Sequence, residues 1–155
     1  MARLAWPRIV TQHVLELPKL TAWTAASARA FDGPAITGDI LTSWVTVGYV
    51  PGEETGATWT QTPDGEVDGL TREDGTIACQ LVCSGSGDDV VEVRQRLADL
   101  LDDWQDWLLA DNTQGGALLG HSRLQLSADV GLLLNDRGAS ATALIALEYT
   151  AVAVP

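Results

Sequence analysis

SRLQLSADV, residues 122–130, alternates strictly: Leu124, Leu126, Ala128 and Val130 are separated by Arg123, Gln125, Ser127 and Asp129. A period of two places the first set on one face of a strand and the second on the other, so the stretch predicts a half-buried β-strand. NDRG, Asn135 to Gly138, carries turn chemistry. The run after it, ASATALIALEYTAVAV, predicts a last long strand with Ala141, Ala143, Ile145, Leu147 and Tyr149 on one face. Together these segments predict a long antiparallel hairpin.

Immediately upstream, Asp88 to Asp111 has a different period. Val90, Val93, Leu97, Leu101, Trp104 and Leu108 form one apolar stripe at helical spacing, and SGSGDD before it supplies candidate caps. Glu92 and Arg96 stand at i, i+4 in the preferred polarity. Arg8 to Ala26 is also expected to be helical, with Pro18 kinking or splitting it. Between the helical segments, FDGPAITGD (31–39) reads as turn, and SWVTVGYV (43–50) and GTIACQLVCSG (75–85) read as strands. This order predicts an α+β fold in a single domain, residues 1–155: a mostly antiparallel sheet with two helices packed on one face.

Pro51 to Asp74 changes character. Seven carboxylates (Glu53, Glu54, Asp64, Glu66, Asp68, Glu73 and Asp74) surround one short strand candidate, ATWTQT, and Arg72 is the only base. The segment is expected to be an extended acidic hairpin or loop that projects from the sheet, because burying uncompensated carboxylates is costly.

At 155 residues with 46% apolar content, the chain can bury a sizeable core. Six tryptophans against the single Phe31 leave the aromatic contribution to indoles, most simply as core packing. Nine basic residues against 21 acidic give a net charge of −12, which argues against a surface built to neutralise phosphates. It suits solubility, or a surface past which DNA slides without sticking. Cys79 and Cys83, on one face of a strand and about 13 Å apart, are too distant to bridge and are expected to be reduced and buried. No signal peptide or run of 18 apolar residues is present, so the chain is expected to be soluble, unsecreted and without membrane contact.

No catalytic, cofactor or metal set emerges. The glycine-rich DNTQGGALLG (111–120) follows a helix, whereas a phosphate loop opens one, and it lacks the Lys-Ser/Thr ending, so it is expected only to turn the chain. His13 and His121 are too few for a metal site and read as structural or solvated. Asp102, Asp103 and Asp106 fall opposite the apolar stripe and read as a solvated face.

FDGPAITGD leading into WVTVGY, GTIACQLVCSGSGDD leading into VRQRLADLL, and DNTQGGALLG before a strand pair ending GASATALIALEYTAVA together resemble, in this order, tail terminator (tail completion) proteins of long-tailed bacteriophages. The similarity spans about Phe31 to Ala153. It implies a non-enzymatic α+β virion subunit, folded in the host bacterial cytoplasm and forming a homohexameric ring at the neck end of the tail. Such a ring caps the tail tube, stops its polymerisation and joins it to head completion or neck proteins, with DNA passing through the channel without specific binding. No cofactor is expected, and Asp64, Glu66 and Asp68 of the acidic segment, whose carboxylates have no basic complement nearby, are expected to take an assembly or channel-facing role in such a ring. Alternatives are another phage neck or tail-tube ring protein, a small carboxylate-dependent enzyme, or a monomeric binding module with an acidic loop.

Overall fold

The computed structural model describes residues 4–63, 70–85, 87, 89–135 and 137–152. The elements are α1 (Trp6–Glu16), a 3-10 turn (Leu17–Lys19), α2 (Thr21–Ala25), β1 (Arg29–Asp32), β2 (Ser43–Val47), β3 (Ala57–Pro63), β4 (Thr71–Ser84), α3 (Val90–Ala110), β5 (Arg123–Asn135) and β6 (Gly138–Val152). The fold is α+β: a mixed, mostly antiparallel six-stranded sheet with three helices on one face.

The sheet order is β1-β2-β4-β6-β5, with β3 also on β4. The long strand β4 is central. On one side it pairs with β6 over its whole useful length, from Arg72↔Val152 to Ser84↔Ser140. On the other side it takes β3 along Thr71 to Ile77 and β2 along Cys79 to Cys83. Only β1 and β2 run parallel.

Alternation decides which face is covered. Ile77, Cys79, Leu81 and Cys83 of β4, and Ala139 through Ala151 at every second position of β6, are buried. The helices lie on this face and share one apolar cluster with it, to which α1 gives Ile9 and Val10 and α3 gives Val93, Leu97, Leu100, Trp104 and Leu108. Burying each such side chain contributes roughly 1.5–3 kcal/mol. Trp23 of α2 meets Trp104 edge to face at 6.0 Å, and its indole N–H donates to the Leu100 carbonyl at 3.0 Å, so the largest ring in this helix is both packed and hydrogen-bonded.

Local chemistry sets the helix ends. Pro18 falls in the 3-10 turn, and Leu20 is extended (φ −66°, ψ 151°), which splits the expected first helix into two. Asp89 caps α3 by accepting the Glu92 N–H at 3.1 Å, and the Glu92–Arg96 pair closes at 3.0 Å.

Four expectations need correction. Phe31 and Asp32, read as turn, belong to β1, a four-residue strand held by its parallel pairing with β2; its own sequence has no distinguishing period. β4 starts at Thr71, inside the segment expected to project, and Glu73 is buried. Asp74 is likewise committed to the sheet, accepting from the Thr150 hydroxyl at 2.6 Å and pairing with Arg72 at 3.1 Å. The alternation of β5 gives buried contacts only near its start, where Leu124 and Leu126 pack against the core; Ala128 and Val130 are exposed on this strand, which ends the sheet order.

Candidate functional site

Asp64, Glu66 and Asp68, the residues assigned to assembly or the channel, lie outside the described residues. Their frame is described: Pro63 pairs with Thr71, so β3 and β4 form a hairpin, and all three fall between these two residues in the sequence. The acidic hairpin is thus an extension of the central strand.

At the foot of this hairpin the structure places a carboxylate that sequence reasoning treated as solvated. Glu73 Oε2 accepts the backbone N–H groups of Ala5 at 3.1 Å and Trp6 at 2.8 Å, and the Tyr149 hydroxyl at 2.7 Å. Its other oxygen accepts from Gln61 Nε2 at 3.3 Å. Two of these donors are the unpaired amides at the start of α1, which has no side-chain cap of its own. Glu73 therefore caps α1 from a strand, where a negative charge also meets the positive end of the helix dipole. The signal was present: Glu73 is in phase with Ile77, Cys79, Leu81 and Cys83, the inward positions of β4. Burial, first, and the facing Glu73 carboxylate, second, push the Tyr149 phenol above its ordinary range, so it stays a donor.

Gly75 makes this geometry possible. It pairs with Tyr149 across the strands, and a Cβ there would fall 2.5 Å from the Thr58 carbonyl oxygen and 2.6 Å from Tyr149 Oη. Only the absence of a side chain lets the Tyr149 ring cross the strand towards Glu73.

The other candidate groups are structural. His13 is fully buried on α1; its Nδ1 lies 2.8 Å from the Ile9 carbonyl, which can only accept, so Nδ1 carries the hydrogen. Its ring stands edge-on to Trp107 at 4.8 Å and to Trp104 at 5.6 Å. Desolvation holds its pKa at about 4, against the opposing effect of the Ile9 hydrogen bond. Such a histidine is neutral near pH 7 and has no route to a substrate. His121 is exposed, far along the chain in the turn before β5.

Of the three aspartates read as a solvated face of α3, Asp102 and Asp106 face solvent. Asp103 does not: its carboxylate accepts the Ala22 N–H at 2.7 Å, in the first turn of α2. The thiols of Cys79 and Cys83 are buried and unbridged, and burial pushes Cys79 up to about 12, which keeps it protonated and inert.

The glycine-rich loop turns the chain. Gln114, Gly115 and Gly116 have positive φ (52°, 69° and 87°). Amides that an anion would need are taken by the loop's own carboxylate, since Asp111 accepts from Thr113 N at 2.9 Å and Gly115 N at 2.8 Å. The Thr113 hydroxyl and the Gly115 amide hold Asp111 below the usual carboxylate range. Asn112 ties the loop to the sheet through the carbonyls of Gly120 and Ser122.

Among the described residues, no group of three or more His, Cys, Asp or Glu is placed to hold a metal ion, and no helix is long and apolar enough to cross a membrane. The less ordinary surface is at the sheet edge. There β5 exposes Val130, Leu132, Leu133 and Leu134, joined by Leu144 on β6. No protein-family model matches the chain, and no curated protein matches it.

Proposed function

We propose that the chain is a structural virion protein of a long-tailed bacteriophage, a tail terminator subunit without enzymatic activity. In this reading it assembles as a homohexameric ring at the neck end of the tail, caps the tail tube, ends tube polymerisation, and joins tail to head completion or neck proteins. The genome passes through the ring without specific contacts.

The order of sequence segments between Phe31 and Ala153 carries the proposal. The fold supports it in one respect: β1 and β5 end the sheet order and present edges to which neighbours in a ring can be added. The excess of acidic over basic residues, 21 against 9, suits a channel past which a polyanion moves.

Native mass spectrometry of the isolated protein, and electron microscopy of tail tubes mixed with it, test the reading. The expected outcome is a six-subunit ring seated on tube ends, and tubes of defined length. A chain that stays monomeric even when bound to tubes, or that leaves tube growth unchanged, overturns it.

A further inference from the structure

We propose that the distal β5 edge of one copy docks against the β1–β2 loop, residues 33–42, of a second copy, in a head-to-tail contact that repeats around the ring. This rests on the ring reading and names the surfaces that build it.

Two apolar surfaces stand out. On β5, Leu132, Leu133 and Leu134 are 45%, 57% and 54% exposed, and side chains on both faces of the strand contribute, so the apolar surface wraps the free edge. At the opposite side of the sheet, the loop between β1 and β2 holds Ile36 and Ile40, 85% and 98% exposed. Each surface leaves large aliphatic groups in water that a partner would cover.

The sheet register places them at one height. Ser43, Cys83, Ala141 and Leu132 form a single row across β2, β4, β6 and β5. Ile40 precedes Ser43 by three residues, so it lies at the end of the sheet to which Leu132–Leu134 project. Copies related by rotation about an axis running along the strands keep their heights. The two apolar sets therefore meet level when the β5 edge of one copy faces the β1 side of the next. A contact between different surfaces is also what a closed ring of more than two copies requires.

Charge selects a second copy as the occupant. Two chains of net charge −12 repel unless they touch where charge is sparse. From Val130 to Leu147 the only charged residues in the sequence are Asp136 and Arg137, of opposite sign. In the loop, the one charge, Asp39, is already paired with Arg29 at 2.9 Å. These are surfaces that copies of this acidic chain can bring together without opposing like charges.

The test uses two double variants at exposed positions, Leu132→Asp/Leu134→Asp and Ile36→Asp/Ile40→Asp, alone and mixed, with native mass spectrometry as readout. The wild type forms a closed ring, and each variant alone drops to a single subunit. An equimolar mixture gives a dimer containing one copy of each, because only one intact pair of surfaces remains. That dimer also shows that both variants fold. The proposal is overturned by a wild type that stays monomeric at about 100 μM, by a loop variant that keeps the wild-type mass, or by a mixture that forms no dimer. Rings that persist in both variants remove these surfaces and leave the terminator reading standing. A wild-type ring that follows the variant pattern but ignores tail tubes keeps the surfaces and removes the terminator reading.

Discussion

The Tyr149 hydroxyl donates to Glu73 Oε2 at 2.7 Å across 76 residues of sequence, and the same oxygen receives the first amides of α1. One carboxylate thus fixes the last strand, the central strand and the start of the chain to each other. Removing it leaves several buried donors without acceptors. Glu73→Ala should cost roughly 3 kcal/mol or more of unfolding free energy, and Tyr149→Phe about 1–2 kcal/mol. Urea unfolding measures both. A Glu73→Ala protein as stable as wild type would show that water replaces the carboxylate at no cost.

Gly75 should tolerate no side chain. A Cβ at 2.5 Å from Thr58 O and 2.6 Å from Tyr149 Oη forces either β3 or the Tyr149 ring to move. Gly75→Ala should lose at least about 1–3 kcal/mol, the usual cost of overpacking. In the Tyr149→Phe background the loss should shrink only in part, because the Oη contact is gone while the ring Cζ, 2.7 Å from the same Cβ, remains. Equal losses in both backgrounds would show that the hydroxyl adds nothing and that the strain lies with the Thr58 carbonyl and the ring itself.

His13 should make stability depend on pH. Its pKa is about 4 in the folded chain and near 6.5 when exposed. Between those values the unfolded chain binds a proton that the folded chain refuses, so stability falls as pH falls from about 6.5 to about 4. Below the lower value both states are protonated and this contribution changes no further. The loss attributable to His13 is roughly 3 kcal/mol. His13→Leu should flatten that part of the curve of unfolding free energy against pH. Parallel curves for variant and wild type would assign the acid sensitivity to other groups.

Asp103 should behave unlike its neighbours. It accepts the Ala22 amide at 2.7 Å, whereas Asp102 and Asp106 face water. Asp103→Ala should destabilise by about 1 kcal/mol, the usual worth of a helix N-cap. Asp102→Ala and Asp106→Ala should leave the thermal midpoint near that of wild type. A uniform response across the three would mean that Asp103 serves only as part of a solvated face.

What the sequence disclosed followed how strong a period each segment has. The α3 stripe and the alternation of β6 run long enough to be unmistakable, and both elements form where expected. β1 is four residues long and depends on β2 for its pairing, so nothing local announces it. Glu73 was misread for a different reason. Its charge suggested solvent, while its phase with Ile77 and Cys79 pointed inward, and three long-range donors decided the matter. Those donors come from residues 5, 6 and 149, which no short window contains. Asp103 was hidden in the same way, since its partner Ala22 is 81 residues distant. In β5 the alternation was correctly legible, but how much of the strand packs against the core was not.

Asp64, Glu66 and Asp68 provide the most direct test of the proposed role in the virion. In the sequence they fall between Pro63 and Thr71, the last pair of the β3–β4 hairpin. The described end of the hairpin is anchored by Glu73 and by the Asp74–Thr150 hydrogen bond, in which none of the three takes part. If these carboxylates face the channel or a neighbouring ring, their charge acts on DNA or on a partner within about 10 Å at moderate salt. Replacing all three with lysine should leave the far-UV spectrum and the ring mass unchanged, yet impair tail joining or genome passage by converting repulsion of DNA into attraction. Complementation of a terminator-deficient phage reads this as lost titre, and microscopy separates unjoined tails from joined particles that fail to eject. Full infectivity with normal tails would reduce the segment to a solvated turn, and loss of the ring itself would place it in the contact between copies.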